Sequence, residues 1–341
     1  MSVYIRVMKC LIIRFSSIGD IVLTTPVIRC IKQQVEGAEV HFLTKRSFKT
    51  VTENNPYIDK FFYYDNNLPE LIGLLKLEEY DYIIDLHKNI RSLRIRLALD
   101  VKTLSYKKES AAKFLLTKFH INRMSGRHIV LRSLDAVASV GVKDDGGGLD
   151  YFISKQDEVS VSDLPLSHAM GYVAIVIGAS YYTKKLPVYK LQELCAKIDH
   201  PIILVGGKED IPEGDAVAAV NPIRIYNACG KFTLNASADI VRKARVVISH
   251  DTGLQYIACA FNKPVIAIWG GTSPKLDVEP FYGSRFLASS NKIMYKNMIV
   301  PGLPCQPCSN FGTHTCPRKH FKCMKLQDIE AIVNAVTGYV K

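Results

Sequence analysis

Short apolar runs separated by stretches with helical spacing recur along the chain. The first follows Lys9, where Cys10-Leu11-Ile12-Ile13 reads as a strand, Arg14 to Asp20 as a tight turn, and apolar residues at helical spacing then continue to Ile31. Pro26 suits the first turn of that helix, with Thr24 or Thr25 as its cap. Strand patterns return at Glu39 to Leu43, Lys60 to Tyr64 and Tyr80 to Leu86. Such alternation predicts a mostly parallel sheet flanked by helices. The stretch Val142 to Leu166 breaks the rhythm: Asp144-Asp145-Gly146-Gly147-Gly148 reads as a flexible turn and Ser160 to Ser167 is polar, which puts a domain boundary near residues 155–168. A second series follows, with strands at Tyr172 to Ile177, Pro201 to Gly207, Ile223 to Tyr226, Val246 to Ser249 and Pro264 to Trp269, and helices at Val188 to Ile198 and Ala236 to Ala244. The predicted fold is α/β, with one doubly wound domain over residues 1–160, a second over 168–325 and a terminal helix over 326–341. Two such domains facing a central cleft would bind ligands at the carboxyl ends of their strands.

A length of 341 residues suits two domains, and 48% hydrophobic with 22% charged residues describes an ordinary globular chain. The longest apolar runs fall far short of a bilayer span, which takes about 18 residues. Arg6, Lys9 and Arg14 interrupt the N-terminal apolar residues without a small-residue cleavage site, so the expected location is the cytoplasm. The net charge of +12 is unevenly spread: Lys88 to Arg132 holds twelve lysines and arginines against two acids, Asp100 and Glu109. That stretch reads either as a solvated helical face or as a surface for an anionic partner. Five cysteines sit singly in apolar surroundings, while Cys305, Cys308, Cys316 and Cys323 form a C-x2-C-x7-C-x6-C pattern that suits either free thiols in a compact loop or a structural zinc site remote from the chemistry.

Candidate chemistry lies in loops that follow strands. In Ser16-Ser17-Ile18-Gly19-Asp20 the glycine permits close approach of a ligand and the carboxylate either caps the helix or faces the cleft. His250-Asp251-Thr252-Gly253-Leu254 precedes a helix whose first amides suit an anion. Gly178 to Pro187 carries the paired lysines Lys184 and Lys185, and further loops run from Gly206, Gly230 and Gly270. Several such loops in one domain suggest a nucleotide pocket, yet neither G-x-G-x-x-G after a strand nor G-x4-G-K-[ST] occurs.

Taken in order, these residues resemble a family. Leu11 to Pro26, Asn55-Pro56-Tyr57-Ile58-Asp59, Gly230-Lys231-Phe232-Thr233-Leu234, Asp251-Thr252-Gly253-Leu254 and Gly271-Thr272-Ser273-Pro274 resemble the successive landmarks of the ADP-heptose:lipopolysaccharide heptosyltransferases, glycosyltransferase family 9. The resemblance implies a GT-B fold of two Rossmann-like domains, the first binding the acceptor and the second the nucleotide sugar. It implies inverting transfer of a heptose from ADP-heptose to a hydroxyl of the lipopolysaccharide inner core, with no cofactor or metal required. Asp20 matches the general base, and Lys184 the lysine on the donor diphosphate. Asp251, Thr252, Gly253 and Leu254 match the donor-binding turn, Phe232 the adenine pocket, Ser180 a hydroxyl near the phosphates and Glu209 an acid on the ribose. Lys88, Arg91, Arg94 and Arg96 then become an acceptor surface or a peripheral contact with the anionic inner face of the inner membrane. Tyr256 stands where many members carry His, and Gly271 where a proline often stands, so the donor sugar is less fixed than the reaction. A GT-B enzyme with another nucleotide sugar is one alternative. A basic nucleic-acid-binding protein is the other, although no nucleic acid is expected as a partner under the family reading.

Overall fold

A computed structural model describes residues 8–340; Arg6 lies outside them. Eleven strands occur among the described residues. The first sheet holds β1 (Lys9–Ile13), β2 (Glu39–Lys45), β3 (Lys60–Tyr64), β4 (Tyr82–Asp85) and β5 (Thr103–Ser105). The second holds β6 (Val173–Val176), β7 (Ile202–Val205), β8 (Ile225–Asn227), β9 (Val246–His250), β10 (Val265–Ile268) and β11 (Tyr295–Met298). Every strand pair is parallel. Parallel neighbours need a crossover, and the helical stretches between the strands supply it.

The strand orders are β3-β2-β1-β4-β5 and β11-β10-β9-β6-β7-β8. In each sheet the chain therefore winds outward from its first strand on one side and then returns to build the other. The order reverses between β1 and β4 in one sheet and between β6 and β9 in the other. Loops at such reversal points diverge above the strand ends and leave room for a ligand.

Central strands are covered on both faces, which is why they read as unbroken apolar runs. Leu11, Ile13, Phe15, Leu43, Leu75 and Ile83 are buried on one face of the first sheet. In the second unit Val173, Ile175, Leu194, Leu204, Ile248 and Ile266 share a core with Ile332 and Val336 of the terminal helix Ile329–Val340.

The chain divides into two compact units. One runs to Lys108 and resumes over Arg127–Phe152; the other comprises Glu109–Gly126 and everything from Ile153. The switch falls a few residues before the polar stretch because that stretch is tied down. Val159 donates its backbone N–H to the buried carboxylate of Asp239 at 2.8 Å and accepts from Lys243 at 2.6 Å. The basic stretch Lys88 to Arg132 is likewise divided, since the helix Ser110–Phe119 packs with the second unit.

The glycine-rich segment Asp144 to Gly148 is a fixed clasp and not the flexible turn its composition suggests. Arg29, buried on the helix Thr25–Gln34, sends two hydrogen bonds to Asp145, at 2.8 and 2.9 Å, and one to the Gly148 carbonyl at 2.9 Å. It also pairs with Asp150. A buried guanidinium demands such partners, and composition gives no hint of one that lies more than a hundred residues away.

Candidate active site

At the reversal point of the first sheet, the loop after β1 is stapled by Arg14. Its guanidinium donates to the carbonyls of Ser16 (2.9 Å) and Leu86 (2.5 Å) and reaches Asp20 Oδ1 at 2.5 Å. Asp20 lies on the short helix Ile18–Val22. Its Oδ2 accepts from the Ser17 backbone N–H at 3.0 Å and the Ser17 hydroxyl at 2.9 Å. The carboxylate thus does close the start of the helix, yet its side chain remains 37% exposed. Burial pushes the Asp20 carboxyl upward, but Arg14 and the Ser17 hydrogen bonds outweigh it and hold the group below its ordinary value. It is ionised at neutral pH and able to accept a proton.

The loop after β4 adds residues that the sequence did not single out. Asp85, fully buried, accepts the backbone N–H groups of His87 (3.0 Å) and Lys88 (2.8 Å) and faces Arg96 at 3.5 Å. His87 packs edge-on against Phe15, with ring centroids 5.3 Å apart. Burial, then the Arg14 charge, pushes its imidazole down to about 4, so it is neutral at pH 7. Its buried Nδ1 has no hydrogen-bond partner among the described residues. A strand order that puts β4 beside β1 is what brings His87 to this end of the sheet, and no local signal reports it.

The four basic residues expected on the surface are differently engaged. Lys88 donates to the Tyr106 carbonyl at 3.1 Å, Arg91 lies over the rings of Phe15 and Tyr64, and Arg96 faces Asp85. Arg94 alone of the four is exposed; the other three are half-buried.

In the second unit the loops after β6 and β9 meet through one ion pair. Lys184, on the turn Tyr182–Lys184, reaches Asp251 Oδ2 at 2.7 Å and donates to its carbonyl at 2.9 Å. Thr272 donates to the same carboxylate at 2.8 Å, and the buried Tyr256 hydroxyl lies 3.4 Å from its other oxygen. That hydroxyl donates to the Val278 carbonyl at 2.6 Å, so Tyr256 packs beside the residue expected to hold the sugar. Thr252, Gly253 and Leu254 open the helix Gly253–Ala260, half-buried, with the helix amides at the carboxyl end of β9. The paired lysines diverge: Lys185 turns to Asp210 at 2.8 Å and Glu213 at 2.6 Å. His250 accepts the Leu186 N–H at 3.0 Å, and burial, then Lys185, pushes its imidazole down to about 3. It is a fixed neutral acceptor that sets the loop.

Close backbone approach explains two glycines. A side chain at Gly178 would meet Asp210 Oδ2 at 2.4 Å, and one at Gly270 would meet the Thr183 carbonyl at 2.2 Å. Ser180 and Glu209 are exposed after β6 and β7, and Phe232 is half-buried after β8. These three lie at the carboxyl edge with Lys184 and Asp251. The segment after β11 braces the same loops: Thr183 and Thr313 exchange backbone and side-chain hydrogen bonds, and Gln306 donates to the carbonyls of Trp269, Gly270 and Thr272.

The four clustered cysteines are free thiols. Burial raises Cys308 and pushes Cys323 up to about 12, so both are neutral. Among the described residues, the donors close enough to share an ion are Glu39, His41 and Glu78. They sit at the amino-terminal edge of the first sheet, away from the chemistry. Lys9 and Lys60 already offset those carboxylates, and both His41 nitrogens are occupied, by Glu39 at 2.7 Å and Tyr80 at 2.9 Å. No helix among the described residues is long and apolar enough to cross a membrane.

Comparison with known proteins places this geometry. Residues 70–294 match glycosyltransferase family 9 (heptosyltransferase). The chain is 23% identical over 314 residues to lipopolysaccharide heptosyltransferase 1 of Campylobacter coli, covering 84% of this chain and 89% of that protein. Among solved structures it resembles a glycosyl transferase family 9 protein of Veillonella parvula, with a TM-score of 0.75 and 18% identity over 97% of both chains. It also resembles the E. coli heptosyltransferase WaaC with ADP, with a TM-score of 0.68 and 18% identity over 98% of this chain and 100% of that one. The fold is GT-B, and the chain belongs to glycosyltransferase family 9, the heptosyltransferases.

Proposed function

We propose that the enzyme transfers a heptose from ADP-heptose to a hydroxyl of the lipopolysaccharide inner core, with inversion at the anomeric carbon. The observation that carries this reading is the Lys184–Asp251 pair at the reversal point of the second sheet. It sets a cation and a carboxylate beside the first amides of the helix Gly253–Ala260. Lys184 and those amides suit the donor diphosphate, and Asp251 suits the sugar hydroxyls. Ser180 would reach the phosphates, Phe232 the adenine and Glu209 the ribose. The lipopolysaccharide relative and the ADP complex of a structural neighbour support the same donor and acceptor.

In the reaction the acceptor oxygen forms a bond to the anomeric carbon as the bond from that carbon to the diphosphate breaks. ADP leaves with the electron pair, neutralised by Lys184 and the helix amides. Asp20 takes the hydroxyl proton. Its low basicity suits a transfer in which the leaving group departs early and the proton is lost late. The carboxyl group needs no metal to be ionised, since Arg14 already holds it so. Peripheral contact with an anionic membrane is supported by the helix Ile90–Leu99, where Ile90 and Leu97 are 77% and 72% exposed beside Arg94.

Titration of the purified protein with ADP, UDP and GDP tests the donor. ADP is expected to bind in preference, and Lys184→Ala to weaken it by about 1.5–3 kcal/mol, the range for a charge-assisted contact. Preference for UDP or GDP would discard ADP-heptose while keeping the family.

A further inference from the structure

A pocket in the second unit is bordered by Tyr182, from the turn that carries Lys184. It is an open depression of about 370 Å³ lined by Tyr182, His314, Thr315, Lys319, Phe321 and Lys325, with Cys316 at its wall. Tyr182 stacks on Phe321 with ring centroids 4.7 Å apart and an interplanar angle of 27°. Phe321 is buried beneath it while Tyr182 is 52% exposed, so a flat aromatic surface faces the pocket. Lys319 and Lys325 rim this surface. Neither is ion-paired among the described residues, and residues 280–327 contain seven lysines and arginines and no acid. Lys319 and Phe321 both hold left-handed backbones, at φ 60° and 51°. For non-glycine residues such conformations persist only where surrounding contacts enforce them, and they gather at ligand clamps.

We propose that this pocket is a binding site for an anionic saccharide, separate from the nucleotide-sugar site. The Tyr182 ring offers an apolar face to a sugar ring, and Lys319 and Lys325, with His314 beside them, take a phosphate or carboxylate on that ring. The site adjoins the donor loop mechanically. Tyr182 and Lys184 belong to one turn, and Thr183 between them is pinned to Thr313, one residue before His314. The proposal rests on this pocket alone, and its test uses no nucleotide, so it stands or falls apart from the donor assignment.

Isothermal titration of the full chain with glucose 6-phosphate, glucuronate, glucose and inorganic phosphate tests it. At least one anionic sugar is expected to bind about tenfold tighter than glucose, the scale of a single charge-assisted contact. The phosphate and carboxylate arms identify which anion is preferred. The double variant Lys319→Asn, Lys325→Gln should weaken that binding by about tenfold or more; Asn tolerates the left-handed backbone, and both positions are exposed, so folding is preserved. Tyr182→Ala should bring the anionic sugar down to the affinity of inorganic phosphate, and Lys184→Ala should leave it within about twofold. Absence of binding by either anionic sugar overturns the site. So does binding that survives the double variant, or that disappears in Lys184→Ala, which would assign the anion to the donor loop.

Discussion

Asp20→Asn should slow sugar transfer by about 10²–10⁴-fold, the usual contribution of a positioned general base, while leaving nucleotide affinity unchanged. Asn keeps the size of the side chain and an oxygen for the Ser17 N–H, so the loss reports basicity and not the collapse of the turn. The neighbouring Arg14 loses a partner but keeps the carbonyls of Ser16 and Leu86. The pH profile of the wild type gives an independent check. Arg14 and Ser17 hold the Asp20 carboxyl below its ordinary value, so the active, ionised form persists through the mildly acidic range. Activity attributable to this group should fall only below the usual carboxylate range. An acidic limb near pH 6 would assign the base to another group. Steady-state rates of Asp20→Asn at saturating donor, with nucleotide binding measured alongside, check both parts.

Arg29→Ala should be the most destabilising single change in the first unit. The guanidinium is buried, forks onto Asp145, pairs with Asp150 and caps the Gly148 carbonyl, so truncation leaves two carboxylates without their cation. Removing one partner of a buried pair costs about 3–5 kcal/mol. At about 2–4 °C per kcal/mol, thermal unfolding should drop by roughly 10 °C. Arg29→Lys keeps the charge but not the fork and should fall between the two.

The same clasp sets an acid dependence. The Arg29 hydrogen bonds, outweighing burial, bring Asp145 down to about 2 from an ordinary 3.8. A carboxyl lowered on folding contributes stability that is fully present above its unfolded value and is lost as pH falls toward the folded one. Wild-type stability should therefore decline between about pH 4 and pH 2, and Arg29→Ala should flatten that part of the decline. Denaturant unfolding as a function of pH measures it.

The elements most legible in the sequence are the central strands. Val173 to Val176, Ile202 to Val205 and Val265 to Ile268 are covered on both faces and bounded by glycine or proline, so their apolar runs are continuous. Strands β5 and β11 escape such a reading. Thr103–Ser105 is three residues long, and Tyr295–Met298 carries Lys296 and Asn297 at its centre because an edge strand is partly solvated. Asp20, Lys184 and Asp251 stand in motifs that a family resemblance picks out. The pairing of Lys184 with Asp251 depends on β9 lying beside β6, which strand order decides and periodicity does not report. His87 and Thr272 reach their sites for the same reason. The basic stretch from Lys88 to Arg132 shows the opposite limit. Charge is visible in composition, but Arg132 is buried, Arg127 pairs with Asp135 and Arg96 with Asp85, so much of it is internal chemistry and not a free surface.

Incubation of the enzyme with ADP-heptose and a heptose-deficient lipopolysaccharide core, followed by mass and anomeric analysis of the product, tests heptosyl transfer most directly. One heptose is expected to appear on the core with inverted anomeric configuration, matched by one ADP released and formed about 10²–10⁴-fold more slowly by Asp20→Asn. Transfer from a UDP- or GDP-sugar with none from ADP-heptose, or a product with retained configuration, would contradict it.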